Sequence, residues 1–228
     1  ILWEEMRENR KRWLMYTGIL CLLAFLCAAV YLPGGGTRLD SLFSNLPENV
    51  LKILHMESRD HTLVGRFGAY IYGFWFVLIP LIYTVRLAYE LVAARMETGS
   101  MIYYVCTPLG RKNIIFTQGY FLTISQLFML AAASVFGIIF SQMFSPGSLE
   151  LPQFLLLNIT AFCLQFFWGG LELFLSCTGL ERRILTGLIW GLPVLSFGLY
   201  LLGNLGGALA PLRYVSVFSI LDPEWIFT

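Results

Sequence analysis

Glu97-Thr98-Gly99-Ser100-Met101-Ile102-Tyr103-Tyr104-Val105-Cys106-Thr107-Pro108-Leu109-Gly110-Arg111-Lys112 is a short island that can face water, set between two long apolar runs, residues 67–85 and 113–149. A plain turn between two membrane helices needs only a few residues. This connection carries an acidic start, a glycine, an aromatic helical turn, a proline stop and a basic pair. The pattern predicts a small helix over 97–108, lying at a membrane surface and open to contact.

The flanking runs set the class. The chain of 228 residues is 57% apolar and 13% charged, where soluble domains carry about 25% charged residues. Its mean hydropathy is +0.72. Several uncharged runs reach the roughly 20 residues that cross a bilayer as a helix. Hydrocarbon offers no water to backbone groups, so each segment must satisfy its own, and helices are the default. The alternating polarity over about 10 residues that a transmembrane β-barrel shows is missing. The fold class is therefore all-α, a polytopic helical membrane protein built as a single transmembrane domain over 1–228.

Residues 1–12 read as an amphipathic interfacial helix. Leu2, Trp3, Met6 and Trp13 fall on one side, and Glu4, Arg7, Glu8 and Lys11 on the other. Tryptophan with flanking Arg and Lys suits the headgroup layer; an ordinary basic flank that fixes orientation is the alternative. Five spans follow, at 13–32, 67–95, 113–142, 151–177 and 184–202. Pro33-Gly34-Gly35-Gly36 breaks the first. Segment 33–66 is placed on the far side, with Leu39, Leu42, Phe43 and Leu46 at helical spacing and Pro47 opening a further turn. His55 and His61, six apart, lack metal-ligand spacing and read as solvated loop residues. Arg86 and Glu90 stand four apart and would share a face near the end of the second span. Pro193 is expected to kink the fifth. Residues 203–228, interrupted by Gly203, Gly206, Gly207 and Pro211, are too broken to span and read as a re-entrant or interfacial segment.

Charge supplies the orientation. With the N-terminus inside, Arg7, Arg10, Lys11, Arg12, Arg86, Arg95, Arg111, Lys112, Arg182 and Arg183 fall on the cytoplasmic side. Only Arg38, Lys52, Arg59, Arg66 and Arg213 fall outside, as the positive-inside rule requires. The predicted location is the cell membrane, multi-pass, with the 97–108 helix in the cytoplasm. A net charge of +1 and no basic tract argue against nucleic-acid binding. The five cysteines read as small buried apolar side chains rather than disulfides or metal ligands.

Reactive chemistry is sparse. No GxSxG, HExxH or GxxxxGK[ST] motif occurs, so no catalytic or metal-binding residue is assigned and the chain is not expected to hydrolyse ATP itself. Glu172 lies inside the fourth span, where an acid is expensive and usually faces protein or water. A structural hydrogen-bonding role and a substrate or gating role are both open for it. Neighbouring Gly169 and Gly170 would let another helix approach.

Glu97, Gly99, Ser100, Thr107, Pro108, Arg111 and Lys112 together resemble the ATP-binding-cassette (ABC) type-2 permease family, the membrane subunits of exporters. That family shows an acid, a glycine with a small hydroxyl residue, an apolar helical turn, Ser/Thr-Pro and a basic pair opening the next span. The basic N-terminal helix, Leu46-Pro47-Glu48, and Ser216-Val217-Phe218 with Asp222-Pro223 are similar to family features in the same order. Gln118 departs from the pattern, since the family often has a lysine there. The resemblance implies a six-span bundle, with a sixth span expected after residue 228, and a coupling helix over 97–108. It implies a separate cytoplasmic ABC ATPase that holds ATP and Mg, and a second permease subunit, identical or related, enclosing a translocation path in the lipid. Coupling would fall to Glu97, Gly99, Met101, Tyr104, Val105, Pro108, Arg111 and Lys112. On the residues themselves, Glu97 is expected near a helix start, where negative charge is favoured by about 0.3–1 kcal/mol. Met101, Tyr104 and Val105 form an apolar face for a partner's groove, Pro108 ends the helix, and Arg111 and Lys112 anchor the next span. A membrane sensor or scaffold that binds a ligand through segment 33–66 is the other reading.

Overall fold

The computed structural model describes residues 2–30, 75–106, 110–144, 146, 149–203 and 210–221, and for a few residues inside helices only the backbone course. Segment 33–66 with both histidines, the start of the second expected span, Thr107, Pro108 and residues 222–228 lie outside the described residues. Every described element is helical. We number them α1 Leu2–Val30, α2 Trp75–Ala88, a π-helical turn Tyr89–Ala93, α3 Ala94–Glu97, α4 Met101–Val105, α5 Arg111–Phe144, α6 Leu151–Ser176, α7 Arg182–Gly203, α8 Ala210–Val215 and a closing 3-10 turn Val217–Leu221.

Four helical stretches are long and apolar enough to cross a membrane: Trp75–Glu97, Lys112–Phe144, Leu151–Ser176 and Arg182–Gly203. They overlap the second to fifth expected spans. The expected interfacial helix and first span form one uninterrupted helix, α1. Large apolar side chains such as Phe116, Phe128, Ile139, Phe166 and Phe174 face outward along α5 and α6. Continuous apolar surface of this kind is what hydrocarbon covers.

Contacts between helices give their directions. Gln118 meets Glu5 and Trp13 meets Ser125, while Phe25 packs edge-on to Phe140, so α1 and α5 run parallel. Arg12 pairs with Glu90 and Arg95 with Glu5, so α2 runs against α1. Gln126 reaches Gln165 and Ser134 reaches Asn158, which sets α6 antiparallel to α5. One end of the bundle therefore gathers Glu5, Arg7, Arg10, Arg12, Glu90, Arg95, α4, Lys112 and Arg182. The opposite end of the described bundle has no comparable cluster of charge among the described residues.

The core is apolar with a polar seam. Leu20, Ala24, Ala28, Phe76, Leu91, Met129, Phe154, Leu157 and Trp168 are buried together. Through them runs a chain of amides and hydroxyls. Gln126 Nε2 donates to Thr84 Oγ1 at 2.8 Å and to Gln165 O at 3.2 Å, and Gln165 Nε2 donates to Val77 O at 2.8 Å. Thr84 Oγ1 in turn donates to Pro80 O at 2.6 Å. Lipid tails are as apolar as leucine, so hydrophobicity alone cannot choose which faces of the helices meet; side-chain hydrogen bonds and small residues can. Gly169 supplies the small residue. A Cβ there would stand 2.7 Å from Leu122, 3.0 Å from Gln126 and 3.1 Å from Thr84, so α2, α5 and α6 meet closely at this one position. Gly170, one residue on, faces open space.

The chain after α7 turns back into the bundle. Ser216 Oγ donates to Ser196 O at 2.8 Å, and Phe218 is buried between Trp168 and Phe197, with ring centroids 5.6 and 5.2 Å away.

On α1, Met6 is exposed, while Glu5 and Asn9 are buried and continue the stripe of Tyr16, Leu20, Ala24 and Ala28. The helix thus docks through an apolar stripe that ends in the Glu5–Arg95 ion pair. The cysteines need a correction: Cys106 and Cys163 are exposed and Cys21 and Cys177 half-buried, all four of them free thiols. Their helices turn these positions outward or to the bundle's margin.

Candidate functional site at the charged end of the bundle

The connection from Glu97 to α5 is a sharply defined corner. α3 ends at Glu97, and Thr98 N donates to Ala94 O at 3.0 Å and Gly99 N to Met96 O at 3.2 Å. Gly99 has φ +72°, the left-handed conformation that closes helices and that a Cβ makes costly. Thr98 Oγ1 and Ser100 Oγ, 2.9 Å apart, hold the far side of the turn. α4 then starts at once, with Ile102 N donating to Gly99 O and Tyr103 N to Ser100 O, both at 3.1 Å. The glycine and the small hydroxyl residue thus act together as a hinge of fixed angle between α3 and α4.

Glu97 is not at a helix start, as expected, but at a helix end, where the macrodipole disfavours an acid. Other groups offset this. Tyr89 Oη donates to the carboxylate, 3.0 Å from each oxygen, and Arg182 Nε at the head of α7 lies 3.6 Å away. The contact is exposed and screened, so it adds little stability. What it does is tie the corner to the start of another span.

Of the residues expected to form the contact face, Met101 is half-buried, and the side chains of Tyr104 and Val105 are not among those described. Arg111 opens α5, Lys112 is exposed, and Pro108 lies outside the described residues. The side chains that α4 does project outward are Ile102, 65% exposed, and Tyr103, 80% exposed. Sequence reasoning passed over this pair because it chose the face at 101, 104 and 105. Nothing in the run Met101-Ile102-Tyr103-Tyr104-Val105, apolar or aromatic throughout, singles out this pair.

A buried ion pair fastens the other flank. Arg95, one residue before Met96, sets Nη2 2.7 Å from Glu5 Oε2 and Nη1 2.5 Å from Oε1. The Glu5 side chain is 2% exposed and that of Arg95 15%. Gln118 Nε2 of α5 stands 3.5 Å from the same carboxylate. One turn further, Arg12 pairs with Glu90. Glu90 thus pairs between helices, with Arg12, and Arg86, four residues before it, is exposed. A π-helical turn spans Tyr89–Ala93. Its extra residue rotates the helix beyond it by roughly 100°, the angle per residue of a helix. Arg95 is thereby brought round to Glu5.

Glu172 sits on the buried side of α6 with Gln165, Trp168, Gly169 and Ser176, and is 1% exposed. Neither carboxylate oxygen has a hydrogen-bond partner among the described residues. The structure does not bring it to the α4 corner. Among the described residues, no group of three or more His, Cys, Asp or Glu side chains could hold a metal ion. No family model matches the chain, and no curated protein or solved structure is similar to it.

Proposed function

We propose that the chain is the membrane-spanning permease subunit of an ABC exporter, coupled through α4 to a separate cytoplasmic ATPase. The observation that carries this reading is the α4 corner: a five-residue helix with Ile102 and Tyr103 exposed, set at a fixed angle by Gly99. A partner has two adjacent large side chains to grip. Movement imposed on α4 has three routes into the bundle: through α3 to α2, through Glu5–Arg95 to α1, and through Glu97–Arg182 to α7. Packed helices shift as units when a terminal contact moves, so a push here is passed to several spans at once. The clustering of cations at this end supports a cytoplasmic placement by the positive-inside rule, with the N-terminus inside a cell membrane. In this reading ATP and Mg belong to the partner, and a second permease subunit completes the translocation path.

The test uses Cys106, exposed at the end of α4. A photo-crosslinker on this thiol, in the full chain freed of its other cysteines, is expected to capture a nucleotide-binding ATPase subunit in inside-out vesicles. Tyr103→Ala, the loss of an exposed aromatic anchor, is expected to weaken that association by about 2 kcal/mol, roughly thirtyfold. Glu97→Lys is expected to remove ATP-driven flux while the protein still inserts. If no ATPase is captured or co-purified under mild solubilisation, the reading fails.

A further inference from the structure

A groove of about 730 Å³ runs between α1 and α5 at the charged end. Its walls are Leu14 on α1 and Phe121, Ile124 and Phe128 on α5, with Arg7 and Arg10 at its mouth. The spacing is regular on both sides. Arg7, Arg10 and Leu14 follow one another down one flank of α1, and Phe121, Ile124 and Phe128 down the facing flank of α5. From Arg7 to Leu14 the wall is about 10 Å deep at 1.5 Å per residue.

The polar groups in the floor are engaged with the protein. Trp13 Nε1 donates to Ser125 O at 3.0 Å, the Tyr83 and Ser125 hydroxyls bond each other, and Asn9 Nδ2 donates to Glu5 O at 3.2 Å. Arg7 and Arg10 make no ion pair with any described residue, in contrast to Arg12 and Arg95. Two guanidinium groups therefore stand over a slot that is otherwise hydrocarbon. Charges end at Arg12, and the uncharged stretch begins at Trp13. That boundary is where the headgroup layer meets the acyl chains. A ligand suited to this place has an anionic head and an apolar tail.

We infer that the α1–α5 groove binds one anionic glycerophospholipid of the cytoplasmic leaflet, its phosphate on Arg7 and Arg10 and an acyl chain along Leu14, Ile124 and Phe128. The inference is independent of the exporter reading, since it makes no use of α4 or of any ATPase. Guanidinium forks match phosphate oxygens in geometry as well as charge. Each basic residue near an anionic surface contributes about 1 kcal/mol, which is a factor of about five in affinity and about thirty for two.

Native mass spectrometry of the full detergent-solubilised chain tests it, with phosphatidylglycerol and phosphatidylcholine of identical acyl chains titrated in competition. The wild type is expected to retain phosphatidylglycerol with a preference of about thirtyfold. Arg7→Gln/Arg10→Gln is expected to bind both lipids alike. Ile124→Trp, which fills the slot and leaves the arginines, is expected to retain neither. Equal retention of the two lipids by the wild type would overturn the assignment. So would an undiminished preference in the double variant, or undiminished retention after Ile124→Trp.

Discussion

The Glu5–Arg95 pair yields an asymmetric prediction. Its two side chains differ in burial, 2% against 15% exposed, and they differ in what remains when one is removed. Arg95→Met leaves a buried carboxylate with, among the described residues, the Gln118 amide 3.5 Å away. Removing one partner of a buried pair in this way costs about 3–5 kcal/mol. Glu5→Gln leaves a guanidinium whose stem can bend toward water at the end of a span. The new amide still offers Arg95 an accepting oxygen, so the loss is the smaller one, about 1–3 kcal/mol. Replacing both together, Glu5→Leu with Arg95→Met, removes the desolvation penalty along with the attraction, and such swaps are often neutral within about 1–2 kcal/mol.

Thermal unfolding in mild detergent, followed by the fluorescence of the six tryptophans, reads these differences. At this chain length 1 kcal/mol shifts Tm by about 2–4 °C. Arg95→Met should melt about 6–20 °C below the wild type, Glu5→Gln by a smaller amount, and the double variant close to the wild type. The order of the three decides the matter. If Arg95→Met is no worse than Glu5→Gln, or if the double variant melts at the sum of the two losses, the carboxylate is not held by Arg95 and the reasoning is refuted.

Gly169→Ala should cost about 1–3 kcal/mol, because the new Cβ meets Leu122 at 2.7 Å in a packed interior, while Gly170→Ala, facing open space, should change Tm by less than about 2 °C; equal melting of the two variants would contradict the close approach of α2, α5 and α6. Glu172→Gln keeps the shape of a side chain whose carboxylate oxygens have no partner among the described residues. It removes an ionisable group that burial penalises, so Tm is expected unchanged or higher. A fall of several degrees would mean that some group holds the acid.

The long helices were legible because membrane spans are written in the sequence as what they lack. Expected runs 113–142, 151–177 and 184–202 overlie α5, α6 and α7, since charge stops near where hydrocarbon begins. The N-terminus was harder. Trp3, Met6 and Trp13 marked an apolar face by their spacing, and the face that docks on the bundle, with Glu5 and Asn9 buried, is a different one that the spacing did not show. Periodicity reports which face is apolar, and it cannot report that an acid will find Arg95 some ninety positions later in the chain. The π-helical turn was equally invisible. An extra residue in a helix leaves no compositional trace, yet it moves every later side chain to a new face. At the α4 corner, the acid, the glycine and the hydroxyl residue were readable as parts. Their roles were not, because whether an acid opens one helix or closes another depends on where the left-handed residue falls.

These observations separate two kinds of polar group in the bundle. The seam of Thr84, Gln126 and Gln165 is neutral, buried and surrounded by apolar side chains, and its hydrogen bonds set which faces of α2, α5 and α6 meet. The ion pairs Glu5–Arg95, Arg12–Glu90 and Glu97–Arg182 all lie at one end; the first two join α1 to the stretch Trp75–Glu97, and the third joins that stretch to α7. A neutral seam in hydrocarbon is hard to exchange, because no water stands ready to replace a broken bond. The two exposed pairs, Arg12–Glu90 and Glu97–Arg182, are easier to open, since water can take either partner and lipid phosphates the cations. A bundle arranged this way keeps its middle fixed while its charged end can rearrange, and α4, with Ile102 and Tyr103 exposed, sits at that end.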